Sequence, residues 1–173
     1  MSYELTHITR DQILNGFEDE YYCCMSGVLS RRFQCDMWPT IFDRVGSIGL
    51  LTRSEGRIVG QLIYIPKHYA QRIGMPRGEG SDDMESTMVI SCVRVHDRYK
   101  NQGIASNMIR EAINFCRQNR YRRIEAYVDP RTPLTAAEWV PSFSAFRKFG
   151  FVIEGPRIAW ESKPDSRICF LLL

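Results

Sequence analysis

The chain has no run of about 18 apolar residues, so no segment reads as a membrane-spanning helix. Its opening residues, Met-Ser-Tyr-Glu-Leu-Thr, lack the basic-then-apolar pattern of a secretory signal, which makes the cytoplasm the expected compartment. Two glycine signatures are missing as well. There is no Gly-x-Gly-x-x-Gly and no Gly-x4-Gly-Lys-Ser/Thr, so the usual dinucleotide fingerprint and phosphate loop are excluded. Histidine is scarce, with 3 in the chain, and the 6 cysteines (Cys23, Cys24, Cys35, Cys92, Cys116 and Cys169) show no C-x-x-C pair. Cys23, Cys24 and Cys35 with His7 make the one conceivable metal set, but zinc-ligand spacing is absent. The expectation is no metal, no disulfide framework, and cysteines that act as small buried apolar residues. A dominant charge is lacking too: the net charge is +3. The most basic stretch, Arg117 to Arg123, reads as a helix C-terminus where cations complement the dipole. Nucleic-acid and membrane partners are therefore not expected.

What is present fits one domain over residues 1–173, large enough for a single buried core. With 44% hydrophobic and 25% charged residues, the composition is that of an ordinary globular chain. Alternation predicts a first strand over residues 3–8, and Thr9 with Asp11 opens a helical region to about residue 22. A second helical piece is expected over 25–33, then strands over 47–52 and 57–65 joined by the Ser54-Glu55-Gly56 turn and stopped by Pro66. Residues 66–85 are dense in glycine, proline and aspartate and read as a long loop, of a length that is usually functional or disordered. A strand over 88–95 precedes the clearest helix, whose stripe is Ala105, Met108, Ile109, Ala112, Ile113 and Cys116. A strand over 123–128 follows, broken by Asp129-Pro130. The chain closes with a helix over 142–149 capped by Gly150 and short strands over 151–153 and 167–172. This order gives a mixed α/β sheet.

The informative junction is the one between the 88–95 strand and the 105–116 helix. It reads Val95-His96-Asp97-Arg98-Tyr99-Lys100-Asn101-Gln102-Gly103-Ile104-Ala105. Amides at a helix start point outward without partners, and the dipole adds partial positive charge, so the turn suits a phosphate. Gly103 permits a positive φ or close approach, Ala105 keeps the next position small, and Lys100 adds a cation.

These residues resemble the acyl-CoA motif of the GCN5-related N-acetyltransferases (GNAT). Val95, His96, Tyr99, Gly103, Ile104 and Ala105 match its Val-His-Pro-x-Tyr and Gln/Arg-x-x-Gly-x-Gly/Ala elements, while Lys100 and Asp97 depart from them. Phe146-Arg-Lys-Phe-Gly-Phe151 is similar to the second signature, Tyr-x-Lys-x-Gly-Phe. The resemblance implies the GNAT fold, a mixed, mostly antiparallel central sheet with splayed fourth and fifth strands and helices on both faces. It implies an acetyl-CoA-dependent N-acyltransferase acting on a primary amine in a ternary complex. Acetyl-CoA would be the co-substrate, held at Val93, Arg94, Val95, Lys100, Asn101, Gln102, Gly103, Ile104, Ala105 and Phe146. The expected acceptor is a small-molecule amine rather than a protein, and a homodimer is allowed. The usual Tyr acid is replaced by Phe146, which leaves Ser142, Ser144, Tyr127 or a water as donor, or a transfer that needs no acid. Glu138, then Glu85, is the expected base, with Asp82 and Asp83 also near. A catalytically weak or inactive acetyl-CoA-binding module of the same fold is the alternative.

Three sharper readings stand beside plainer ones. Cys92 could carry an acetyl group, but a strand cysteine is better read as core. Trp38 and Trp139 could wall an acceptor pocket or simply pack. A nucleotide site would need a ribose-binding acid about twenty residues on, and Glu125 is the only candidate.

Overall fold

The computed structural model describes residues 2–15, 37–70, 83–131, 141–160 and 163–173; at residues 15, 156–160 and 163–164 it describes the main chain only. In chain order the elements are β1 (Glu4–His7), α1 (Arg10–Asn15), α2 (Trp38–Val45), β2 (Gly49–Ser54), β3 (Arg57–Pro66), α3 (Lys67–Ala70) and β4 (Thr87–Val95). A 3-10 turn (Asp97–Tyr99), α4 (Ile104–Gln118), β5 (Arg123–Val128), α5 (Ser144–Arg147), β6 (Val152–Trp160) and β7 (Lys163–Leu172) complete the chain. The strands form one seven-stranded sheet in the order β1-β2-β3-β4-β5-β7-β6.

The sheet is mixed as expected. β1–β2, β2–β3, β5–β7 and β6–β7 are antiparallel, and β4–β5 is parallel. The parallel register runs from Thr87↔Arg123 to Ile90↔Ala126, although β4 continues to Val95 and β5 to Val128. β3 is buried along its length except at Arg57, which explains its nearly unbroken apolar sequence.

The contacts divide the chain into two compact units, Met1–Ile63 with Cys92–Met108, and Tyr64–Ser91 with Ile109–Leu173. In the first, Ile8, Trp38, Ile41, Leu50, Leu51 and Leu62 are core, and the Arg10 guanidinium joins α1 to α2 through Asp43 at 2.8 Å. In the second, Tyr64 stacks on Phe115 at 5.0 Å, and Ile124, Ala126, Ile168 and Cys169 are fully enclosed.

Several expectations need correction. The α4 stripe starts at Ile104, which is buried, rather than at half-buried Ala105; Met108, Ile109, Ala112, Ile113 and Cys116 continue it as expected. The helix over 142–149 is four residues long, followed by turns to Gly150, whose φ of 89° is left-handed. The strands expected over 151–153 and 167–172 are longer, because they form a hairpin that brings β7 alongside β5. The loop expected over 66–85 contains α3, where Lys67, Tyr69 and Ala70 are buried. Helix α2 was not foreseen, although Pro39 in its first turn marks a helix start. The helical piece over 25–33 and the end of the 11–22 helix lie outside the described residues.

Candidate active site

β4 carries Val93, Arg94 and Val95 beyond its last pair with β5. The chain then turns through His96–Gly103 into α4, all within the first unit. The His96 amide donates to the Val59 carbonyl at 2.9 Å, fixing the exit from β4 to the neighbouring strand β3. His96 Nδ1 in turn accepts from the Arg98 amide at 3.3 Å and caps the 3-10 turn.

Asn101 (φ 62°) and Gly103 (φ 82°) are both left-handed, one on each side of Gln102. Asparagine tolerates this region better than most residues, and glycine has no side chain to oppose it. A Cβ on Gly103 would meet nothing within 4 Å, so the space beside its backbone is open. The first bond of α4 is donated by Asn107 to the Gly103 carbonyl at 3.0 Å. Among the described residues, the amides of Asn101, Gln102, Gly103, Ile104 and Ala105 find no hydrogen-bond partner. Consecutive open amides at the start of a 15-residue helix offer the donors that an anion cradle requires.

α4 is seated by a residue that pattern reasoning missed. A Cβ on Gly60 would stand 2.8 Å from Ile104 Cγ2 and 3.3 Å from the Met108 methyl, so only glycine in β3 lets the helix start come this close. The signal was available as a lone glycine inside the apolar run of β3.

The charge expected at the mouth is already engaged. Lys100 Nζ lies 2.7 Å from Asp97 Oδ1, and that hydrogen bond and charge hold the Asp97 carboxyl below its usual range. Asp97 is the residue that departs from the motif's proline, so the turn carries its own anion beside its cation.

The described catalytic candidates Glu85, Ser142, Phe146 and Tyr127 belong to the second unit. Glu85 is 71% exposed, with Oε1 3.8 Å from His68 Nδ1. Ser142 Oγ sits 2.9 Å from Ser144 Oγ. Phe146 is fully buried and packs edge-on against Phe151 at 5.2 Å. The Tyr127 phenol is enclosed on β5, where burial first and the Glu125 charge second push its pKa up, so it keeps its proton at neutral pH. Glu138 and Trp139 lie outside the described residues, as do Asp82 and the cysteines at 23, 24 and 35. Trp38 is buried in α2. Cys92 is buried on β4 and accepts from Gln61 Nε2 at 3.8 Å.

Within the second unit, Asp129 clasps the chain that leads into α5. The Asp129 amide donates to the Pro141 carbonyl and the Phe143 amide donates to the Asp129 carbonyl, each at 3.0 Å. The Asp129 carboxylate also holds Arg131, which reaches Asp165 at 2.8 Å.

Glu125 is not a ribose ligand. It is fully buried on β5 and faces two cations, Lys67 and Arg123. Its signal was a carboxylate inside an otherwise apolar strand, which demands a partner.

The sequence matches the family described as Acetyltransferase (GNAT) family over residues 11–138. The chain belongs to this GNAT family. No curated protein sequence matches it. Solved structures with the GNAT fold resemble it along their whole length. The ribosomal-protein-alanine N-acetyltransferase from Brucella melitensis aligns with a TM-score of 0.62 and 18% identity, covering 98% of this chain and 99% of that one. A GNAT acetyltransferase from Streptococcus pneumoniae aligns at 0.61 and 19%, covering 99% and 100%. The PaiA N-acetyltransferase from Thermoplasma acidophilum, solved in complex with coenzyme A, aligns at 0.58 and 10%, covering 100% of both chains. At such identities the likeness speaks for the GNAT fold alone.

Proposed function

We propose that this GNAT chain transfers an acetyl group from acetyl-CoA to a primary amine, with donor and acceptor bound together. The observation that carries this reading is the run of open amides from Asn101 to Ala105 at the start of α4, with left-handed residues at Asn101 and Gly103. Such a run fits a pyrophosphate, which takes several amide donors at once. Acetyl-CoA, when bound, supplies a thioester open to attack by an amine.

The chain's own part is to bind, orient and move protons. Val93 and Val95, past the last β4–β5 pair, are the positions whose backbone would grip an extended amide arm. A fixed amide there would also stabilise charge on a carbonyl oxygen. An ammonium acceptor must first lose a proton, and exposed Glu85 can pass one to water. Burial and the Glu125 charge push the Tyr127 phenol up and make it a poor acid, and Phe146 has no proton to give, so the thiolate leaves without help from either ring. The absence of a hydroxyl at enclosed Phe146 favours one second reading, an acetyl-CoA-binding module without turnover. The fold relatives include, by name, an enzyme of ribosomal-protein alanine, so the acceptor panel should contain peptides with free termini besides small amines.

Calorimetry with acetyl-CoA, followed by thiol release with that panel, tests the reading. Acetyl-CoA should raise the melting temperature by mass action, and Gly103→Val should abolish the heat of binding. No heat at millimolar acetyl-CoA would sink the proposal. Binding without thiol release across the panel would establish the module instead.

A further inference from the structure

We infer that Tyr3, at the far end of the chain from the motif, is a positioning residue for the anion cradle, a role that rests on the acetyl-CoA reading above. Its hydroxyl donates to Gln102 Oε1. Gln102 Nε2 donates to the Arg98 carbonyl at 3.1 Å. Both ends of the Gln102 amide group are thereby spent on protein, and the side chain acts as a brace across the turn. Its backbone amide remains open at the centre of the cradle.

The contacts close into a circuit. The Tyr3 ring meets Tyr99 edge-on at 6.4 Å, and Tyr99 meets His96 edge-on at 5.9 Å. His96 returns to the same turn through the Arg98 amide. Every residue of this circuit except Tyr3 belongs to the turn itself. Tyr3 is the outside anchor, and it is held in place because the next residue, Glu4, pairs with Arg53 in the β1–β2 ladder.

The need for an anchor follows from the backbone. A left-handed Asn101 is an uncommon state that persists only when its surroundings hold it there. Gln102 lies between Asn101 and Gly103, so bracing it from both ends fixes the direction of the amides on either side. Without the Tyr3 hydroxyl the turn keeps its sequence and its open amides but loses their common aim. Cofactor affinity would fall, while the groups that handle the acceptor and its proton are untouched.

The test is Tyr3→Phe, which removes one hydroxyl and keeps the ring. KM and Kd for acetyl-CoA should rise roughly two- to tenfold, the equivalent of one hydrogen bond, with kcat unchanged. Gln102→Ala should raise KM as well, and adding Tyr3→Phe to it should do no further harm, because the two share one interaction. Equal Kd in wild type and Tyr3→Phe, or additive effects in the double variant, would overturn the inference. Should wild-type protein bind no acetyl-CoA, the functional reading fails, and NMR on the free protein then decides the positioning claim alone. Backbone order parameters over residues 101–103 should drop in Tyr3→Phe. Unchanged order parameters would overturn it.

Discussion

The Lys67 ammonium donates to Glu125 Oε1 at 3.0 Å and lies 2.8 Å from Oε2, with side-chain exposures of 1% and 0%. Arg123 Nε takes Oε1 from the other side at 2.6 Å, and Arg123 continues to Glu154 at 2.8 Å while its guanidinium covers the Phe170 ring at 3.9 Å. Four charges alternate in sign across the second unit, from α3 to β6.

Removing one member of such a chain leaves a buried charge short of its partner. Lys67→Met should therefore destabilise the protein by roughly 3 kcal/mol, the lower end of the range for broken buried pairs, because Arg123 still faces Glu125. Urea unfolding measures it. A loss below about 1 kcal/mol would mean that the pair is solvated in solution.

Gly60→Ala should act at a distance from any ligand. The new methyl would press on Ile104, the first residue of α4, with a cost of about 1–3 kcal/mol for overpacking. Since Ile104 lends an amide to the cradle, acetyl-CoA should also bind more weakly. Calorimetry on a folded Gly60→Ala protein checks both, and unaltered affinity would separate the seating of α4 from the cradle.

Asp97 offers a prediction of opposite sign. Neutralising it in Asp97→Asn frees Lys100 and removes an anion that an incoming phosphate must face. Acetyl-CoA should bind ~2–5-fold more tightly, and more salt-dependently, than to wild type. Lys100→Ala should weaken binding, because it leaves Asp97 uncompensated. The Lys100–Asp97 contact, whose Asp pKa is depressed, is intact at neutral pH and is lost only as pH falls through that lowered value. Weaker binding by Asp97→Asn would show that the pair itself shapes the turn.

Cys116 gives a pH signature. Burial pushes its thiol from 9.0 up to about 12, so the folded protein holds the proton after the unfolded chain has released it. Stability is complete below pH about 9 and falls above it, by about 1.4 kcal/mol per unit for this one group, until the folded value is reached. Between pH 10 and 11, where the unfolded thiol is ionised and the folded one is not, the decline should be shallower by about that amount in Cys116→Ala. Identical slopes would place the thiol in contact with water.

The junction from β4 into α4 was legible because it is written contiguously: strand, polar turn, one glycine, amphipathic helix. The β5 boundaries were legible for a similar reason, with Asp129-Pro130 marking the stop. Lys67 was hidden, since a lysine after a proline in a glycine-rich stretch reads as loop, and only its buried partner 58 residues away shows otherwise. Tyr3 was hidden in the same way, 99 residues from Gln102. The shortness of α5 had no local signal, because the turns after Arg147 keep helical spacing without the helix. Sequence pattern reports neighbours along the chain, and these features depend on neighbours across it.

The bridge at Asp129 has an engineering consequence. Because its main chain ties down both Pro141 and Phe143, the exit of β5 and the approach to α5 are clasped together. Closing a loop between fixed ends costs only about 0.6 kcal/mol more for each doubling of its length. The clasp holds the exit of β5 and the approach to α5 together whatever length of chain joins them, so a longer or shorter connection there should leave both elements folded.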